Sequence, residues 1–121
     1  MENQSNQFEI CAKDDVADGE VVRFDKDDLE LAVYHVGGLF YVTDNVCTHG
    51  PGELSEGYLD GHIIECDFHQ GKFDIRDGAV VAPPCLVALK TYNVVPHDSS
   101  VVLEVSAVYF FPTTSISADN P

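Results

Sequence analysis

Cys47-Thr48-His49-Gly50-Pro51-Gly52 and Cys66-Asp67-Phe68-His69-Gln70-Gly71 are the two stretches on which the reading of this 121-residue chain turns. Each brings one cysteine and one histidine within three residues of each other, and 16 residues separate His49 from Cys66. Glycine punctuates both, so both read as tight loops in which backbone N–H groups approach a buried anion closely. Two thiolates and two imidazoles make a four-ligand set, and thiolate ligands need donors aimed at sulfur.

Two kinds of metal centre fit Cys47, His49, Cys66 and His69. One is zinc, as a structural cross-link. Structural zinc sites, however, group their ligands as C-x2–4-C and H-x3–5-H. Here each loop supplies one cysteine and one histidine. That mixed order suits a two-iron cluster gripped from opposite sides, with both cysteines on one iron and both histidines on the other.

Outward from these loops the hydrophobic pattern is short and mostly alternating, which predicts strands. They are expected over 8–12, 20–25, 31–36, 39–43, 62–66, 72–75, 79–82, 89–95 and 100–105. Gly37-Gly38 is a two-residue hairpin signal, and Asp60-Gly61 and Asp77-Gly78 suit turns that need positive φ. His97-Asp98-Ser99 makes a last hairpin. No window of a dozen residues holds a 3.6 period. Short strands with turn signals this regular predict an antiparallel sandwich or small barrel. Residues 44–58, with three Gly and one Pro, and residues 83–85 read as loops. A loop as long as the first, inside a compact domain, points to function. No linker or repeat divides the chain.

Six basic residues against 21 acidic ones give a formal charge of -15. Phosphate recognition needs Lys and Arg, so this balance excludes nucleic acid and an anionic membrane surface and favours a basic partner. The first residues show no signal-peptide pattern, and no apolar run approaches the roughly 18–20 residues that span a bilayer. A cytoplasmic, reducing location is expected, where four cysteines are metal ligands, catalytic thiols or buried small hydrophobes rather than a disulfide frame.

Cys47-Thr-His49-Gly and Cys66-x-x-His69-x-Gly-x-Phe73, followed by Pro83-Pro84-Cys85 and Ala88-Leu-Lys90, resemble the Rieske-type [2Fe-2S] ferredoxins of bacterial aromatic-ring-hydroxylating dioxygenase systems. The resemblance spans about 8–105. It implies an all-β Rieske fold, an antiparallel β-sandwich base with an inserted two-loop cluster-binding subdomain at about 44–85. The whole of 1–121 is then one domain, with a C-terminal tail from about 106. It implies that Cys47 and Cys66 ligate one iron of a single [2Fe-2S] cluster and His49 and His69 the outer one. Residues 82–85 match the proline-rich loop that covers the cluster.

The same resemblance implies an electron carrier and not an enzyme. One electron would pass from a flavin-dependent ferredoxin reductase to a terminal oxygenase through transient contacts at the His49/His69 tip. A monomer is expected. The alternative is a small Rieske subunit of a larger oxidoreductase, arsenite-oxidase-like or nitrite-reductase-like, which would show an apolar docking face.

Departures from the high-potential Rieske pattern carry information. Gly52 and Phe68 stand at the disulfide positions, and Gly71 and Phe73 at the positions of the Ser and Tyr donors. Missing donors leave more electron density on sulfur, so the potential is expected near about -150 mV. Asp67 stands where these ferredoxins often have Pro, and its charge lowers the potential further.

The remaining chemistry-bearing residues read as structural. Cys11 and Cys85 are expected as buried small hydrophobes. His35, His62 and His97 are expected in surface or satisfied core positions. The acidic run Asp14, Asp15, Asp18, Asp25, Asp27 and Asp28 reads as a solvated face. Glu53, Glu56, Asp60 and Asp67 are the better candidates for steering a basic partner. Phe68 either packs its loop or meets that partner, and Tyr109, Phe110 and Phe111 pack back onto the base.

Overall fold

The computed structural model describes residues 5–48, 52–67, 70–83 and 87–106. His49, His69, Phe68, Pro84, Cys85 and the Tyr109, Phe110, Phe111 segment lie outside the described residues. Among the described residues ten strands follow in order: β1 (Ser5–Ala12), β2 (Val21–Lys26), β3 (Leu29–Val36), β4 (Leu39–Asp44), β5 (Tyr58–Asp60), β6 (Ile63–Glu65), β7 (Lys72–Asp74), β8 (Val80–Ala82), β9 (Thr91–Val95) and β10 (Ser100–Ser106). They form a six-stranded sheet, β1-β10-β9-β4-β3-β2, and a four-stranded meander, β5-β6-β7-β8. All pairings are antiparallel. The edge strands β1 and β2 also touch, so the larger sheet curls toward closure.

Turn chemistry sets the registers. Gly37 and Gly38 both lie in the left-handed region, with φ of 61° and 84°, and pair Val36 with Leu39. That is the two-residue turn whose twist matches the strands. The β2–β3 hairpin turns on Asp27-Asp28, with Asp27 at φ 54°. The sequence reading took these two residues for part of a charge run. Aspartate tolerates this conformation better than most residues, so the pair is a turn as well as an acidic surface.

Two further differences concern 44–58, expected to be loop throughout. A 3-10 turn occupies Leu54–Glu56, and β5 begins at Tyr58. Three residues are too few to show an alternation, and β5 exists only because β6 supplies its partners. A second 3-10 turn, Lys13–Asp15, was likewise not foreseen.

β3 is buried on both faces. Leu31 and Val33 pack with Cys11, Val16, Val42, Val101 and Leu103 inside the larger sheet. Ala32 and Tyr34 face the other way, into a core shared with Leu54, Ile64, Phe73, Ile75 and Leu89 of the insertion. A period of two along one strand thus joins two cores. The Tyr34 hydroxyl, buried and with its pKa raised by that burial, bonds Thr43 Oγ1 at 2.9 Å, and Thr43 in turn donates to the Asp44 carbonyl. The insertion leaves β4 and returns at β9, its neighbour, where the Asp44 N–H donates to the Lys90 carbonyl at 3.0 Å.

Candidate metal centre

Cys47 and Cys66 are both buried, 3% and 1% exposed, and both belong to the core shared by base and insertion. Their loops close by the same device. The Cys47 N–H donates to the Gly52 carbonyl at 2.9 Å, and the Cys66 N–H donates to the Gly71 carbonyl at 2.7 Å. Beneath each closure the chain is paired, Val46 with Glu53 and Glu65 with Lys72. Each closed loop contains a histidine position, 49 or 69, outside the described residues. In the second loop the left-handed residue is Gln70, at φ 64°. The sequence reading looked to the glycine for loop geometry; Gly71 is instead buried beneath the loop and supplies the carbonyl for Cys66.

The loops are tied to each other and to the base. Asp67 Oδ1 accepts the Glu53 N–H at 3.1 Å and lies 3.9 Å from Cys66 Sγ. Glu53 Oε1 accepts Arg23 Nη1 at 3.1 Å and Asn45 Nδ2 at 3.2 Å. Arg23 also pairs with Asp25 and Glu30. Glu53 therefore anchors the first loop to β2, whereas the sequence reading had it as a steering charge. Thr48 Oγ1 donates to the Val87 carbonyl at 2.8 Å, joining the first loop to the segment that follows β8.

Asn45 was missed altogether. It is fully buried, and its Oδ1 accepts the Ser55 N–H at 2.9 Å while its carbonyl accepts the Leu54 N–H at 2.7 Å. A lone Asn before an apolar residue and a cysteine carries no local signal of this role. Asn45→Ala should leave the Ser55 amide unpaired and Glu53 short of a donor, and lower stability by about 2–3 kcal/mol. Urea unfolding checks this, and a loss below about 0.5 kcal/mol, the size of a surface change, would contradict it.

A cleft of about 240 Å³ opens beside Cys66, lined by Glu56, Gly57, Tyr58, Glu65, Asp67 and Gln70. Three of these are carboxylates. Tyr58 is 66% exposed, and Val46 and Val87 are also exposed.

The other candidates are placed elsewhere. Cys11 sits in the core of the larger sheet, its thiol pushed up to about 11 by burial and the nearby Asp15 and Glu9 charges. His35 Nδ1 lies 2.8 Å from the Val16 carbonyl, and its ring stacks on Phe40. His62 meets the Tyr41 ring edge-on. His97 Nδ1 accepts the Ser99 and Ser100 N–H groups and caps the β9–β10 turn. The six aspartates of the acidic run are exposed, as expected. Among the described residues no helix is long and apolar enough to cross a membrane.

Two buried cysteines at the roots of two matched loops suit an iron–sulfur centre, whose soft metal takes thiolate and imidazole. The model of the Rieske [2Fe-2S] domain family matches residues 6–93. The chain belongs to this family. A Rieske domain carries a [2Fe-2S] cluster, and the donor chemistry of the two loops fits it. The ferredoxin component of the naphthalene 1,2-dioxygenase system of Pseudomonas putida is 41% identical over 99 residues, 82% of this chain and 95% of that one. The Sphingomonas yanoikuyae B1 ferredoxin superposes with a TM-score of 0.78 at 46% identity, covering 83% of this chain and 99% of that one. A chain from a complex of reduced oxygenase and oxidized ferredoxin in carbazole 1,9a-dioxygenase superposes with a TM-score of 0.76 at 39% identity, covering 87% of this chain and 95% of that one.

Proposed function

We propose that this chain is the ferredoxin of an aromatic-ring-hydroxylating dioxygenase system, with Cys47 and Cys66 on one iron of its cluster and His49 and His69 on the other. A Rieske cluster accepts and releases one electron at a time. The matched closure of two loops, each with one cysteine and one histidine position, carries the reading. The chain itself transforms no substrate. It takes its electron from a flavin-dependent reductase and delivers it to a terminal oxygenase, meeting each through the tip that bears His49 and His69. One domain spans 1–121, with 44–85 as the cluster-binding subdomain and 106–121 as its tail, and it works in the cytoplasm as a monomer. The ferredoxin relatives favour this shuttle over a permanent subunit of a larger oxidoreductase.

The chain's own residues set the terms of docking. Glu56, Glu65 and Asp67 make the surface beside Cys66 acidic, and the exposed Val46, Val87 and Tyr58 add apolar area close to the loops. A shuttle must dock and leave repeatedly, so small and partly electrostatic contacts suit it. Exposed charges are screened over about 8 Å at physiological salt. Reduction by the reductase should therefore slow by on the order of tenfold between low and high salt. Glu56→Lys and Glu65→Lys should slow it more than Asp14→Lys and Asp28→Lys, which lie on the base. Stopped-flow reduction across a salt series is the measurement. A rate indifferent to salt, or a larger loss from the base variants, would place docking elsewhere.

A further inference from the structure

We propose that Asp67 is a positioning residue for the metal centre, which clasps the two ligand loops and fixes one negative charge beside the Cys66 sulfur. This rests on the reading of Cys47 and Cys66 as ligands. With Cys47 and Cys66 as ligands, neither loop has a further cysteine with which to form a disulfide to the other. Among the described residues, the Glu53 amide donates across from the first loop to Asp67 Oδ1 in the second, at 3.1 Å. Glu53 is in turn held by Arg23 on β2 and by the buried Asn45, so the clasp runs from the base through the first loop to the second.

The oxygen that accepts this bond is the one 3.9 Å from Cys66 Sγ. The clasp therefore decides where the charge sits. A bond from an amide to a carboxylate is charge-assisted and stronger than a neutral one. With Cys66 as a thiolate, the carboxylate faces negative sulfur, and the electron added on reduction makes that contact less favourable. Asp67 thus holds the loops together while lowering the reduction potential.

Two substitutions separate these roles. Asp67→Asn keeps an oxygen for the Glu53 amide but removes the charge and makes the bond a neutral one, so it should lose iron to a chelator faster than the wild type and more slowly than Asp67→Ala, while its potential moves upward. Asp67→Ala removes both, so its potential should rise and its visible absorption should bleach roughly tenfold faster under the same chelator. The readouts are bleaching kinetics and a redox titration of the purified proteins. An Asp67→Ala variant that bleaches at the wild-type rate would overturn the clasp, and an Asp67→Asn potential equal to that of the wild type would overturn the charge effect. A wild-type protein that purifies without iron would overturn the ligand reading itself, which is a distinct outcome.

Discussion

Cys66→Ser and Cys47→Ser should each purify colourless, with iron and sulfide lost together. Both sulfurs are rooted in an apolar core with Leu54, Ile64 and Phe73. Serine is a poor replacement there, because its hydroxyl does not ionise as a thiol does and is a poor ligand for a soft metal. It also leaves a polar group where the neighbours are apolar. Unfolding of the 44–85 region should accompany the loss, since metal binding is part of its folding free energy. Cys11→Ala is the control. Its thiol lies in the other core and resists ionisation, so that variant should keep full iron. His49→Cys and His69→Cys should stay coloured with a lower potential, because an anionic thiolate replaces a neutral imidazole. Iron analysis and a redox titration of the five proteins decide the ligand set. Full iron in Cys66→Ser, or an unmoved potential in either histidine variant, would remove that residue from it.

Gly78→Ala should cost about 3–4 kcal/mol, as much as truncating a large core side chain. Gly78 turns the chain between β7 and β8 at φ 78°, where a side chain is strained. A Cβ there would also collide with the Leu89 carbonyl oxygen. Neither side can yield without cost, since the Gly78 N–H donates to the Asp74 carbonyl and the Gly78 carbonyl accepts the Leu89 N–H, both at 2.8 Å. These bonds pin the end of the meander to the segment that returns to β9. Gly19→Ala separates strain from collision. Gly19 has φ 86° and open space around its Cα, so it should cost only about 1–2 kcal/mol. Equal urea midpoints for the two variants would refute the steric argument.

These two substitutions also mark what was legible in the sequence. The hairpin at Gly37-Gly38 and the left-handed turn at Asp77-Gly78 could be read locally, because one or two residues fix each turn. That tight loops follow Cys47 and Cys66 could be read for the same reason, since Gly50, Gly52 and Gly71 lie within a few residues. β5 could not, because its three residues gain their conformation from β6. Glu53 and Asp67 looked like free surface charge. Their partners, Arg23 for one and the Glu53 amide for the other, lie 30 and 14 residues away. Asn45 was invisible because its importance comes from burial, which only the packing of Leu54–Glu56 against the base creates.

The two-sided burial of β3 has a consequence for how this protein tolerates change. A strand with a wet face accepts substitutions at every second position. β3 offers no such face over Leu31, Ala32, Val33 and Tyr34, all fully buried. A step of one residue along it changes which half of the molecule is damaged. Lesions at Leu31 or Val33 loosen the base, and lesions at Ala32 or Tyr34 loosen the packing behind Cys47 and Cys66. Drift in the two halves is therefore not independent, because four adjacent codons write both.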